Sequence, residues 1–216
     1  VVRTHEHEPL QRFAAASTVP VINGLSQAAH PCQALADMLT IKERFGTLTG
    51  LRIAYIGDGR NNMAYSLAEA AAMSGMSVTF AAPITHRPPD AFLARVVELG
   101  KAHHVTARAF TSPLRAARDV DVVYTDVWTS MGDEAFTERN AAALRPYQVT
   151  EELMAAAAPH ALFMHCLPAH RGEEVSAGVI DGPQSVVFDQ AENRLHAQKA
   201  LLLALITDLR GLGDHE

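Results

Sequence analysis

Cysteine is scarce in this chain: Cys32 and Cys166 are the only two among 216 residues. Small secreted scaffolds carry more, at tighter spacing, so a disulfide framework is disfavoured and a reducing, cytoplasmic setting is expected. No apolar run approaches the roughly 20 residues needed to span a bilayer, and no signal-like pattern opens the chain. A membrane is therefore not an expected partner. Lys/Arg runs are also missing, and 18 basic against 24 acidic residues give a formal net charge of -6. Such a balance offers no footprint for nucleic acid. A third glycine is lacking too. In Gly57-Asp58-Gly59-Arg60-Asn61-Asn62 the dinucleotide fingerprint would need Gly where Asn62 stands. The next strand closes Ala81-Ala82-Pro83, without the acid that holds a ribose, so no nicotinamide cofactor is expected. Finally, the opening Val1-Val2-Arg3-Thr4 lacks Met and reads as a strand end with nothing before it. The expectation is a C-terminal piece of a longer protein.

What is present is a 48% hydrophobic composition, enough for a sizeable core. Strand-like and helix-like segments alternate. Helices are expected over 9–16, 31–45, 62–74, 90–103, 114–118, 151–157 and 192–209. Strands are expected over 19–22, 51–56, 77–82, 120–125, the stretch before Cys166, and 185–188. In the 31–45 helix, Leu35, Met38, Leu39 and Lys42 read as one face, with Gly46 as the stop. Alternation of this kind predicts an α/β fold: a mostly parallel open sheet with helices on both faces. The expected division is 1–30 as the tail of a first α/β domain, 31–49 as a linking helix, 50–190 as a second α/β domain and 191–216 as a closing helix.

Four motifs fall at strand ends or helix starts, where the crevice of an open sheet collects ligands. His165-Cys166-Leu167-Pro168 puts a thiol where a buried strand turns; the plainer reading is a small packed hydrophobe. His30-Pro31-Cys32-Gln33 places Pro at the first helical position, making a helix start that suits an anion; the plainer reading is an ordinary cap. Asp126-Val127-Trp128-Thr129-Ser130-Met131-Gly132 brings a carboxylate to a strand end, suited to a cationic amine, or else a solvated loop acid. Glu192-Asn193-Arg194, at the head of the last helix, offers a guanidinium fork for phosphate or carboxylate, or an ordinary surface pair. Asn61 and Asn62 add amides at a helix start, or cap it. His165 is expected on the strand face opposite Cys166, which argues against a zinc pair. No metal ligand set is expected from His5, His7, His103 or His104.

Taken in order, these motifs resemble the series of the ornithine carbamoyltransferases, within the aspartate/ornithine carbamoyltransferase family, along essentially the whole chain. The resemblance implies two α/β domains, assembly into homotrimers, and transfer of a carbamoyl group from carbamoyl phosphate to the δ-amine of L-ornithine, in arginine biosynthesis or catabolism. It implies no metal and no organic cofactor. Carbamoyl phosphate would be held by Arg3, His30, Pro31, Cys32, Gln33, Cys166, Leu167 and Arg194. Ornithine would be held by Asn62, Asp126, Ser130, Met131 and Cys166, with the Ser-Met-Gly loop as a lid. Cys166, Asp126, Arg3 and His30 would be the catalytic residues.

One departure stands out. The family's Ser-x-Arg-Thr phosphate grip does not occur in these 216 residues, so poor carbamoyl-phosphate binding and little turnover are expected of this chain alone. Three alternatives stay open on the residues. They are a transferase for another amine (putrescine or an acylated ornithine), a nicotinamide-dependent oxidoreductase, and a catalytically silent binding module.

Overall fold

The computed structural model describes residues 1–128 and 137–207. The main sheet has five parallel strands: β3 (Arg52–Ile56), β4 (Ser77–Ala81), β5 (Ala107–Phe110), β6 (Val122–Thr125) and β7 (Leu162–His165), in the order β5-β4-β3-β6-β7. The chain steps outward from β3 to β5, then crosses back to lay β6 against the other side of β3. The direction of winding therefore reverses between β3 and β6, and that reversal opens a crevice beyond the strand ends.

Period-two alternation makes both faces of the sheet apolar. Ile53, Tyr55, Val78, Phe80, Val122, Tyr124 and Met164 point to one core. There they meet Ala34, Met38 and Ile41 of α2 (Pro31–Phe45), Met63 and Leu67 of α3 (Asn62–Met73), and Leu93 and Val96 of α4 (Asp90–Leu99). Ala54, Ile56, Ala81, Val123 and Phe163 point the other way. They meet Ala116 of α5 (Pro113–Ala117), Leu153 and Met154 of α7 (Glu151–Ala156), and Ile180 of α8 (Ala177–Ile180). A strand buried on both sides reads as a continuous apolar run, as in a parallel sheet covered by helices. The α/β architecture expected from the sequence is the one found.

Before the sheet lie β1 (Val2–Arg3), α1 (His7–Ala16) and β2 (Asn23–Leu25), with β1 and β2 pairing in parallel. The expected strand at 19–22 is thus displaced: pairing begins at Asn23. α6 (Thr137–Leu144) and α9 (Val187–Thr207) complete the described elements. Two segments differ from expectation at the end of the chain. Ser185 makes only an isolated bridge to Phe163, while Val187 and Phe188 already belong to α9, so 185–188 is not a strand. The closing helix consequently starts before residue 191. β5, α6 and α8 were not expected at all, and the expected 90–103 helix ends at Leu99, followed by a separate turn of 3-10 helix over Lys101–His103.

α2 also corrects the sequence reading. Leu35 and Lys42 are exposed, and the buried side carries polar Gln33, Asp37 and Thr40 beside Met38 and Ile41. The polar stripe faces α9, which supplies partners: Asn193 Nδ2 donates to Thr40 Oγ1 at 3.0 Å and Glu43 Oε2 at 2.7 Å, and Arg44 pairs with Asp189. Buried polar groups are tolerated when hydrogen-bonded, and the two helices satisfy all of this stripe but Asp37 Oδ2, which has no partner among the described residues. Gly46 ends α2 in the left-handed conformation, φ 74°, as a C-terminal glycine does.

Candidate active site

β6 delivers Asp126 and β7 delivers Cys166 to the crevice. The Cys166 thiol donates to Asp126 Oδ1 at 3.0 Å. The carboxylate also accepts from its own neighbour, Val127 N–H, at 2.8 Å, and from Asn61 Nδ2 at 3.4 Å. Asn61 donates as well to Tyr55 Oη at 2.7 Å, while its Oδ1 caps α3 by accepting from Ala64 N–H at 2.7 Å. The capping reading of Asn61 is met by the same side chain that reaches Asp126. Burial, and next the Asp126 charge, push the Cys166 thiol well above its ordinary value. A protonated thiol is no nucleophile, so Cys166 serves here as a donor that orients the carboxylate.

The backbone after Cys166 is unusual. Leu167 has φ 57°, a left-handed conformation that costs a non-glycine residue about 1–2 kcal/mol. Strain of this sort persists where surrounding contacts hold it. Leu167 N–H donates to His165 Nδ1 at 2.8 Å, and the Leu167–Pro168 bond is cis. His165 lies on the face opposite Met164 and Cys166, which pack into the same core. A ring nitrogen of His165, the Cys166 sulfur and an Asp126 oxygen nevertheless lie within 4.8 Å of one another. Nδ1 accepts from the Leu167 amide, and Nε2 lies 3.3 Å from Glu174 Oε1 without making a hydrogen bond among the described residues. Burial alone would raise Glu174, but the His165 ring and the His170 amide hold it below its ordinary value.

A second group gathers at the start of α2. His30 is 8% exposed, and its pKa is lowered to about 4, first by burial and then by the charges of Arg194 and Arg3. The ring is therefore neutral at pH 7, and its Nδ1 is buried without a partner among the described residues. Its backbone N–H donates to Ser66 Oγ at 2.8 Å, which fixes the helix start on α3. Arg194 donates to Gln33 Oε1 and to Gln198 Oε1, both at 2.8 Å, and its Nε is buried without a partner among the described residues. A half-buried guanidinium resting on neutral amides is the electrostatic arrangement that an anion would complete. Arg194 stands in the second turn of α9, not at its head. Pro31 occupies the first turn of α2 as expected, while Cys32 is buried with its thiol aimed at the Asn23 carbonyl, 3.5 Å away, and raised by burial.

Other expected residues are placed differently. Arg3 is exposed on β1, joined to the group through its charge on His30. Asn62, half-buried in the first turn of α3, donates to the Ser26 carbonyl at 2.7 Å. Ser130 and Met131 lie outside the described residues. At Gly59 a Cβ would come within 2.7 Å of Pro88 Cδ and 3.2 Å of the His86 carbonyl, so the close approach this glycine permits is made by the chain's own 86–88 segment. Two buried residues went unnoticed in the sequence: Asp37 and Gln190. The signal for Asp37 was the spacing Gln33, Asp37, Thr40, Arg44 along one helical face.

The structure thus sets the Asp126 carboxylate with its thiol donor at the switch point of a doubly wound sheet, and a half-buried Arg194 with a neutral His30 at the start of α2. The model for the Asp/Orn binding domain of aspartate/ornithine carbamoyltransferases matches residues 49–205, and that for the carbamoyl-P binding domain matches residues 1–43. The chain belongs to the aspartate/ornithine carbamoyltransferase family. An ornithine carbamoyltransferase of Acidothermus cellulolyticus is 52% identical over 213 residues, 99% of this chain and 68% of its own length. The solved ornithine carbamoyltransferase of Pyrococcus furiosus superposes with a TM-score of 0.89 at 48% identity, over 95% of this chain and 65% of that one. The ornithine transcarbamoylase of Giardia lamblia gives 0.87 at 34% identity, over 99% and 70%. The chain thus spans about two thirds of the length of these relatives. Among the described residues no helix is long and apolar enough to cross a membrane.

Proposed function

We propose that this chain carries the ornithine half, and part of the carbamoyl-phosphate half, of a carbamoyltransferase that forms citrulline and phosphate. The observation that carries this reading is the pairing of two opposite electrostatic sites: Asp126 with its thiol donor, and the Arg194–His30–Gln33 group. Ornithine's δ-amine has an ordinary pKa near 10, so before it can attack it must give one proton to Asp126 or to solvent. Asp126 holds the ammonium end of the substrate, and exclusion of water lowers the amine's proton affinity. The freed nitrogen pair forms the C–N bond at the carbamoyl carbon while the C–O bond to phosphate breaks. The departing phosphate takes the proton that the nitrogen sheds. Arg194, Arg3 and the start of α2 at His30, Pro31, Cys32 and Gln33 stabilise that anion. Neutral His30 contributes hydrogen bonding, not charge. Cys166, fixed as a donor, holds Asp126 in place, and Leu167 lies at the carbamoyl group. Asn62 takes the ornithine carboxylate, with Ser130 and Met131 closing over the amino groups.

The division into 1–30, 31–49, 50–190 and 191–216 goes with this reading, amended so that α9 is kept whole. Assembly as a trimer and a cytoplasmic setting belong to the same proposal. Because the 216 residues contain no Ser-x-Arg-Thr sequence, phosphate rests on the α2 start and Arg194, and turnover by the chain alone is expected to be small. The test is a calorimetric titration with L-ornithine, putrescine, N-acetylornithine, L-aspartate and NAD. Saturable binding of ornithine alone supports the assignment. Putrescine binding as tight as ornithine, or NAD binding, would overturn it.

A further inference from the structure

Arg194 and the His165 backbone N–H are both obligate donors, and each is met by a glutamine. Gln33 Oε1 accepts from Arg194 at 2.8 Å, and Gln190 Oε1 accepts from His165 N–H at 3.0 Å. Each amide must then turn its Nε2 the other way, into the interior. Both point at one atom: Asp37 Oδ1 accepts from Gln33 at 2.9 Å and from Gln190 at 2.7 Å. A carboxylate oxygen can take two such donors without offering one. Asp37 is fully buried, a costly place for an acid unless hydrogen bonds repay it. The result is one uninterrupted path: Arg194, Gln33, Asp37, Gln190, then His165 beside Cys166.

We propose that Asp37 is a positioning residue that fixes the amide orientation of Gln33 and Gln190, and so aligns the anion cradle and the Cys166 turn from one buried atom. The chemistry of the path dictates the shared atom. With donors at both ends, the atom in the middle has to accept from both amides. The link to the anion rests on the carbamoyl-transfer reading; the link to His165 does not.

Two measurements on Asp37→Ala and Asp37→Asn test this. The first is amide hydrogen exchange at His165, with Phe163, whose N–H is bonded to the Gln184 carbonyl, as the control on the same strand. The alanine variant should lose about tenfold of the His165 protection, as expected for one hydrogen bond, with Phe163 unchanged. The asparagine variant keeps the shared oxygen and should keep the protection. The second is titration with inorganic phosphate. The alanine variant should bind about tenfold more weakly, the asparagine variant within about twofold of the unaltered chain. Asp37→Ala added to Gln33→Ala should cost nothing beyond Gln33→Ala alone. Asp37→Ser, too short to meet both amides, replaces the alanine variant if that one does not fold. Equal losses at Phe163 and His165, or an asparagine variant as impaired as the alanine one, overturns the positioning role. An unaltered chain that binds no phosphate overturns the anion cradle instead, and the exchange result then stands or falls separately.

Discussion

Two buried groups should titrate in opposite senses over the same pH window. His30 sits at about 4 in the folded chain against an ordinary 6.5. The unfolded chain therefore binds this proton first, so its contribution is complete above about pH 6.5 and is lost as the pH falls toward 4. Asp37 sits at about 7 against an ordinary 3.8. Burial drives that rise, and the bonds from Gln33 and Gln190 only partly offset it. Here the folded chain binds the proton first, so its contribution is complete below about pH 3.8 and is lost as the pH rises through 7. Integrated from about pH 7 to about pH 4.5, His30 costs about 2.5 kcal/mol and Asp37 returns about 3 kcal/mol. The two nearly cancel in the unaltered chain and must be separated by substitution. Relative to that chain, His30→Gln should gain about 2.5 kcal/mol across this acidification and Asp37→Asn should lose about 3 kcal/mol. For a chain of this size each kcal/mol moves the melting temperature by roughly 2–4 °C. Unfolding curves at several pH values, ending near 4.5 before Glu174 titrates, provide the assay. Two variant curves that run parallel to the unaltered one would refute the assignment of either group.

Three further outcomes are expected. Asp126→Asn should weaken ornithine binding by about 10- to 100-fold, the worth of one hydrogen bond to a charged group, and leave phosphate binding unchanged; calorimetry with each ligand checks both. The same substitution removes a negative charge beside the Cys166 thiol, so alkylation of Cys166 near neutral pH should become faster, read by mass spectrometry of the labelled peptide. Gly59→Ala forces a Cβ to 2.7 Å from Pro88 Cδ, and overpacking of that kind costs about 1–3 kcal/mol, measured by thermal unfolding.

Four strands were legible as apolar runs, β3 and β4 set off by Gly50 and Gly75, and β6 and β7 by charged or proline-containing turns. β5 was not: Ala107-Arg108-Ala109-Phe110 has one strong strand former and an exposed arginine, as an edge strand allows. Residues 185–188 look like a strand by composition, but Val187 and Phe188 go into α9 because helical packing against the sheet overrides a weak local preference. The same contrast holds in the site. Cys166, Asp126 and His30 could be found because turn chemistry and a proline mark their places. Gln190 could not. Its bond to Asp37 joins residues 153 apart in sequence, and each alone is an ordinary polar residue in a helix.

The most direct test of the central claim is equilibrium binding of a conjugate that joins a phosphonate, through an acetyl link, to the δ-nitrogen of ornithine. If the cradle and the amine site share one crevice, the conjugate binds more tightly than phosphate or ornithine alone. Arg194→Ala and Asp126→Asn each weaken it. A conjugate that binds no better than either of its halves, or whose affinity is indifferent to one of these substitutions, contradicts the account.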